Sequence, residues 1–85
     1  MNIELRFFAS VREELGVSHM PLSVPADIAT IGALRAHLRE KGDIWAVALA
    51  DHQPLRTALN QQMSDADTAL VDGCEIAFFP PVTGG

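Results

Sequence analysis

Hydrophobic and polar residues alternate near both ends of this chain, with the two-residue period of a strand that is buried on one face. The first alternating segment is 2–8 and the last is 75–79. A third segment, 19–24, alternates in the same way, and Pro21 within it indicates an edge strand that pairs with the first. The residues on the hydrophobic faces of these three predicted strands are Ile3, Leu5, Phe7, Met20, Leu22, Val24, Ile76 and Phe78.

A helical period follows the second strand. Ile31, Leu34 and Leu38 recur at spacings of three and four residues, which is the pattern of a helix with one buried face. Thr30 is the predicted N-cap and Gly42 the predicted stop. We expect this to be the main helix of the fold.

Two shorter helices are also predicted. Ser10 is placed as the cap of a helix over 11–15 that Gly16 ends. Asp43 is placed as the cap of a second helix over 44–50.

The remaining hydrophobic segments, 55–61 and 69–71, predict short strands. The order of strand, strand, helix and further strands predicts an α+β protein of the β-grasp type, a mixed sheet of four or five strands covered by one main helix. We expect residues 1–79 to form this domain and 80–85 to form a tail that leaves it at one edge.

Composition narrows the class of protein. The chain has 85 residues, 48% of them hydrophobic and 20% charged, which favours one small folded domain. Its net charge of −5 with six Lys and Arg excludes the cationic patch that nucleic-acid binding requires. The acidity indicates a basic protein partner instead.

The expected location is the cytoplasm. Cys74 is the one cysteine of the sequence, so an intrachain disulfide is excluded. The opening residues lack the pattern of a signal peptide, and no apolar run reaches the length of a membrane span. We therefore expect no membrane association.

Other reactive residues are assigned structural roles. Cys74 follows a turn and has no neighbouring His or Lys in sequence that would activate its thiol. His19, His37 and His52 lack a metal-ligand spacing. We predict no metal site in this chain.

The tail is the best candidate for chemistry. Pro80 and Pro81 lack amide donors and favour extended backbone, so strand pairing should stop there. Residues 80–85 reach roughly 20 Å, enough to enter a deep pocket on another protein. Gly84 and Gly85 lack a Cβ, so an enzyme can approach the final carboxylate closely.

The terminal octapeptide, Phe78-Phe79-Pro80-Pro81-Val82-Thr83-Gly84-Gly85, resembles that of the small subunits of molybdopterin synthase, a family related to ubiquitin and to the thiamine-pathway sulfur carriers. The resemblance spans nearly the whole chain and implies a ubiquitin-like β-grasp fold. Its further segments are Leu5 to Glu13, Thr30 with Ala33-Leu34-Arg35, Trp45 to Leu49, Ala58 to Gln61, and Asp72-Gly73.

The resemblance implies a cycle of sulfur transfer at Gly85. An adenylyltransferase similar to ubiquitin-activating enzymes uses ATP and Mg²⁺ to adenylate its carboxylate, and sulfur from a donor protein then gives a thiocarboxylate, a covalent 1-thioglycine. The large synthase subunit takes up the tail and holds the catalytic groups, and sulfur passes to cyclic pyranopterin monophosphate to form the dithiolene of molybdopterin. The family also implies a heterotetramer and no permanently bound cofactor. The tail residues that would insert are Pro80, Pro81, Val82, Thr83 and Gly84.

Two aromatic residues are interpreted as a docking patch. Phe8 and Phe79 fall on the polar sides of their strands, and adjacent central strands would place them near one another. A tolerated exposed aromatic pair is the structural alternative.

Two other functions stay open. A ubiquitin-like modifier would use the same tail to form isopeptide bonds, and a carrier for thiamine or cysteine synthesis would deliver sulfur elsewhere. A plain interaction module with a frayed tail would be indifferent to the loss of Gly85.

Overall fold

The computed structural model describes residues 1–81. Within that range the strands form one sheet in the order β2-β1-β5-β3-β4. β1 and β5 are parallel and the other neighbouring pairs are antiparallel, which confirms the predicted mixed sheet. The elements, in chain order, are β1 (Asn2–Phe7), α1 (Ala9–Leu15), β2 (His19–Ser23), α2 (Ile31–Arg39), α3 (Asp43–Ala48), β3 (Arg56–Leu59), β4 (Gln62–Ser64) and β5 (Glu75–Phe79).

The middle of the sheet carries the core. Leu5 pairs with Ile76 and Phe7 with Phe78, and all four side chains are buried. The Phe7 and Phe78 rings stack with centroids 6.0 Å apart, and Trp45 of α3 packs edge-to-face on Phe7 at 5.7 Å. Burial of each such side chain contributes about 1.5–3 kcal/mol, so this layer fixes the position of β5.

α2 is the main helix, as predicted. Thr30 Oγ1 accepts a hydrogen bond of 3.2 Å from the backbone N–H of Ala33, which is the expected N-cap. The buried residues of this helix are the three predicted ones: Ile31, Leu34 and Leu38.

The predicted starts of the two short helices are wrong. α1 begins at Ala9 rather than after Ser10, and α3 begins at Asp43 after Gly42. Neither N-cap residue makes a side-chain hydrogen bond. Ala9 has φ 52° and Asp43 has φ 49°, so each helix starts at a residue with positive φ where a side-chain cap was expected.

The segment 55–61, predicted as one strand, instead contains the strand β3 and the turn of a β-hairpin. β3 ends before Asn60, and Asn60 and Gln61 form a two-residue turn with φ 49° and 69°. β4 then pairs antiparallel with β3. A turn with positive φ at both central residues suits the right-handed twist of the strands, which explains the early reversal.

The predicted strand near 69–71 is absent from the described part of the chain. Ala69 makes a single antiparallel bridge with Thr30, and Leu70 is buried in the core. The hydrophobic character of this segment therefore reflects core packing beside α2 rather than strand pairing.

Arg35 joins α2 to the segment after α3. Its Nε donates to the carbonyl of Leu49 at 2.8 Å, and its Nη2 donates to the carbonyls of Ala50 and Gln53. Burial lowers the pKa of this guanidinium, but arginine remains charged at any physiological pH. A fixed cation thus satisfies carbonyls that the end of the short helix α3 leaves open.

A close approach explains the glycine in the first turn of α2. Gly32 N–H donates to Ala66 C=O at 2.9 Å. A Cβ at position 32 would lie 3.1 Å from the Cβ of Ala66 and 3.2 Å from its carbonyl oxygen. The absence of a side chain at Gly32 therefore allows the 65–68 segment to pack on the helix.

Candidate functional site

The root of the tail lies at the C-terminal end of β5, the central strand of the sheet. β5 runs between β1 and β3, ends at Phe79, and continues into Pro80 and Pro81 without further strand pairing. The end of pairing at the prolines agrees with the missing amide donors. The predicted site residues Val82, Thr83, Gly84 and Gly85 lie outside the described residues.

Phe8 and Phe79 come together beside this root. Their ring centroids are 6.5 Å apart in an edge-to-face arrangement. The parallel register of β1 and β5 produces the contact, and the backbone N–H of Phe8 donates to Phe78 C=O at 3.2 Å. Phe8 remains 43% exposed and Phe79 is half-buried, so the pair presents an aromatic surface at the base of the tail.

A shallow hollow continues from the aromatic pair across the outer sheet face, which we define as the side of the sheet opposite α2. Ala58 and Ala77 are cross-strand partners and form its floor. Met63 of β4 stands on its rim with 61% of its surface exposed. The hollow has a volume of about 380 Å³, enough for side chains of another protein.

The sequence did not single out Met63 and the two alanines. Met63 lies in β4, which was missed because the segment has only three residues and follows an unrecognised turn. Recognition of the two-residue turn at Asn60 and Gln61 would have paired Ala58 with Met63 and so placed both on one face, which alternation alone does not do.

The charged side chains on the outer sheet face are mostly paired with one another. Arg6 Nε donates to Glu75 Oε2 at 3.1 Å, and His19 Nε2 lies 2.5 Å from Glu4 Oε2. Arg56, the cross-strand neighbour of Phe79, has no salt bridge among residues 1–81. The surface therefore combines a hollow, lined by apolar residues and by the Arg6–Glu75 pair, with the cation of Arg56, which is unmatched within residues 1–81.

The described residues offer little for metal or thiol chemistry. Within 1–81 no group of three or more His, Cys, Asp or Glu side chains is placed to hold a metal ion. The Cys74 thiol is buried and lies before β5, at the opposite end of that strand from Phe79. A strand of this length separates its two ends by roughly 15 Å, so Cys74 is remote from the tail root. No helix in the same range is long and apolar enough to cross a membrane.

Comparison with known proteins shows the family to which the chain belongs. A model of the ThiS family matches residues 5–85. The chain belongs to the ThiS family. A relative from Escherichia coli K12, named molybdopterin synthase sulfur carrier subunit, is 48% identical over 83 residues, which cover 98% of this chain and 99% of the relative.

Two further similar proteins carry different names. The small archaeal modifier protein 3 of Haloferax volcanii is 33% identical, with full coverage of both chains. A chain from the complex of subunits 1 and 2 of the molybdopterin-converting factor of Helicobacter pylori 26695 superposes with a TM-score of 0.66 at 31% identity, again with full coverage of both chains. The fold is the ubiquitin-like β-grasp, as the sequence predicted.

Proposed function

We propose that this ThiS-family chain is the sulfur carrier subunit of a molybdopterin synthase and acts in molybdenum cofactor biosynthesis. The observation that carries the proposal is 48% identity across 98% of the chain to a relative with that name. The sequence Phe78 to Gly85, with its Pro-Pro segment and terminal Gly-Gly, supports the same function.

The proposed chemistry takes place on the Gly85 carboxylate. A carboxylate resists nucleophiles because of its negative charge, so it must first be activated. Its oxygen attacks the α-phosphorus of ATP·Mg²⁺ on an adenylating partner, and pyrophosphate leaves. Hydrosulfide (HS⁻) from a donor protein then attacks the acyl carbon and displaces AMP, and loss of its proton leaves a thiocarboxylate at Gly85. ATP and Mg²⁺ belong to the partner, and the thiocarboxylate is the covalent form of this chain.

The chain's own part in this chemistry is delivery. Residues 80–85 form the proposed inserting tail, in which Pro80 and Pro81 restrict the backbone to extended conformations and so limit the entropy lost on insertion. Gly84 and Gly85 have no side chains, so the tip of the tail is thin and the groups of an enzyme can come close to the reacting carbon. The domain, residues 1–79, holds the partner while the tail reaches the active site.

The proposed partner is the large subunit of the synthase. The Helicobacter pylori chain that this protein resembles comes from a complex of subunits 1 and 2, which supports a two-subunit assembly here. We assign the contact to Phe8, Phe79 and the adjoining hollow. Aromatic side chains beside a small hollow with an alanine floor and a polar rim resemble the centre of a protein interface, and their position at the tail root couples docking to insertion.

The test is an intact-mass measurement after incubation with the cognate adenylating enzyme, ATP, Mg²⁺ and a sulfur source. We expect a mass gain equal to sulfur replacing one oxygen. A chain that lacks Gly85 should show no gain, and a Val71→Ser variant, changed at an exposed position of the folded domain, should react normally. An adduct that forms equally without Gly85 would disprove the proposed chemistry.

The same reaction mixture tests a second candidate function, that of a ubiquitin-like modifier. This candidate is considered because a relative at 33% identity is named a small archaeal modifier protein. A modifier would appear as conjugates in which Gly85 is joined to a lysine amine, and these resist thiol and mild base. A carrier would return to its starting mass after it meets the large subunit and the pterin substrate. The conjugate formed by a modifier is heavier than the released carrier by the mass of the acceptor protein.

A further inference from the structure

A second apolar surface lies on the helical side of the molecule, opposite the outer sheet face. Ile44 and Val47 are three residues apart on α3 and share one face of that helix. They are 50% and 62% exposed, while Trp45 and Ala48 of the same helix pack inward. Together with Glu14 of α1 and with Asp43 they line a shallow groove of about 460 Å³, which we call the α1–α3 groove.

The charges of the α1–α3 groove are of one sign. Its two ionisable residues are Glu14 and Asp43, and neither takes part in a salt bridge or a side-chain hydrogen bond with any part of residues 1–81. Four other carboxylates in that range have an arginine or histidine beside them, as Asp51 has Arg39 at 2.6 Å, whereas Glu13, Asp27, Asp65, Asp67 and Asp72 have none. The single lysine of the sequence, Lys41, lies over the Trp45 ring at 5.4 Å.

We propose that the α1–α3 groove is a second docking surface, and that it takes a protein segment with an aliphatic side chain flanked by lysine or arginine. The aliphatic group covers Ile44 and Val47, and the cations meet Glu14 and Asp43. Charge complementarity selects such a partner over a second copy of this chain, because two copies with a net charge of −5 repel one another.

The α1–α3 groove lies on a different side of the molecule from the residues proposed to dock the chain for sulfur delivery. α3 contacts the inner side of the sheet through Trp45 and Phe7, whereas Phe8 and Phe79 lie on the outer side. The α1–α3 groove and the aromatic pair therefore lie on opposite sides of the sheet. The carrier can be held on one side while it delivers from the other.

The test is an NMR titration of the isotopically labelled full chain with a helical peptide that presents two leucines flanked by lysines. We expect shift changes centred on Ile44, Val47 and Glu14. Val47→Ser should weaken binding about fivefold, because it removes buried apolar area. Val71→Ser is the matched control, since Val71 is 57% exposed but lies outside the groove, and it should bind like the unchanged chain.

The charge requirement is tested in the same titration. A peptide with glutamate in place of lysine should fail to bind, and the Glu14→Gln/Asp43→Asn double variant should lose about threefold in affinity and most of its salt dependence. Absence of binding at millimolar peptide, shifts centred on Phe8 and Met63, or equal effects of the Val47 and Val71 variants would each overturn the proposal. Thermal unfolding of each variant confirms that it is folded. No step involves Gly85, so either result leaves the sulfur-carrier proposal to its own test.

Discussion

At the scale of single residues, the turn between β3 and β4 holds side chains in a backbone region that favours glycine. Asn60 and Gln61 have φ of 49° and 69°. Asparagine tolerates this region better than glutamine does. Gln61→Gly should therefore raise the free energy of unfolding by about 0.5–1 kcal/mol, because it relieves strain at the second turn position. Urea denaturation measures the change.

The matched control makes the same substitution one residue later. Gln62 lies in β4, where glycine loses strand propensity and backbone entropy, so Gln62→Gly should lower stability by about 0.5–1 kcal/mol. If both variants shift stability in the same direction, the turn geometry does not govern the effect.

The aromatic pair at the tail root also acts at this scale. Phe8→Ala should weaken binding to the cognate large subunit about tenfold, because an aromatic side chain at an interface centre contributes more than its neighbours do. Its cost to folding should stay below about 1 kcal/mol, since the ring is already 43% exposed. Calorimetric titration measures the affinity. Val71→Ala, at a similarly exposed position, should leave the affinity unchanged, and an equal loss there would contradict a specific patch.

At the scale of secondary-structure elements, Arg35 connects α2 to the chain that leaves α3. Arg35→Lys should lower the free energy of unfolding by about 1–3 kcal/mol, because one ammonium cannot reproduce the planar set of bonds to the Leu49, Ala50 and Gln53 carbonyls. Arg56→Lys is the matched control, since Arg56 is exposed and has no salt bridge among residues 1–81, and its effect should be near zero. Similar losses for both variants would show that the carbonyl contacts are unimportant.

The packing of α2 against the 65–68 segment gives a second test between elements. Alanine at position 32 gains helix propensity but meets Ala66 at 3.1 Å, so Gly32→Ala should cost about 1 kcal/mol overall. In a chain that already carries Ala66→Gly, the cost should fall, with a coupling of about 1 kcal/mol between the two sites. A double-mutant cycle by thermal unfolding measures it. Simple additivity would show that the contact with the Cβ of Ala66 does not constrain position 32.

The elements themselves were predictable where one periodicity ran long enough. Six residues of alternation identified β1, and three apolar residues on one face identified α2. The starts of α1 and α3 were not predictable from capping residues, because Ala9 and Asp43 begin these helices with positive φ and neither N-cap makes a side-chain hydrogen bond. β4 has only three residues, too few for a period to stand out.

At the scale of the whole molecule, topology determines which residues the site can use. Because β1 and β5 are central and parallel, the residue after β1 and the last residue of β5 meet at the tail root. Alternation, together with the predicted adjacency of the two central strands, therefore predicted the meeting of Phe8 and Phe79. The hollow required the position of β4 beside β3, a tertiary fact that local pattern does not contain.

The distance between the docked domain and the reacting carbon is the last property of the whole molecule that the proposed function requires. If Phe8 and Phe79 fix the domain on the large subunit, the tail must place Gly85 at one depth. Deletion of Pro81 shortens the extended reach by about 3.3 Å, and a misplacement of that size should slow sulfur transfer at least tenfold. Pro81→Ala keeps the length and should transfer much faster than the deletion. Single-turnover loss of the thiocarboxylate, followed by intact mass, measures the rate, and calorimetric titration should give similar affinities for both variants. Transfer at the normal rate after the deletion would mean that docking does not set the depth of the tail.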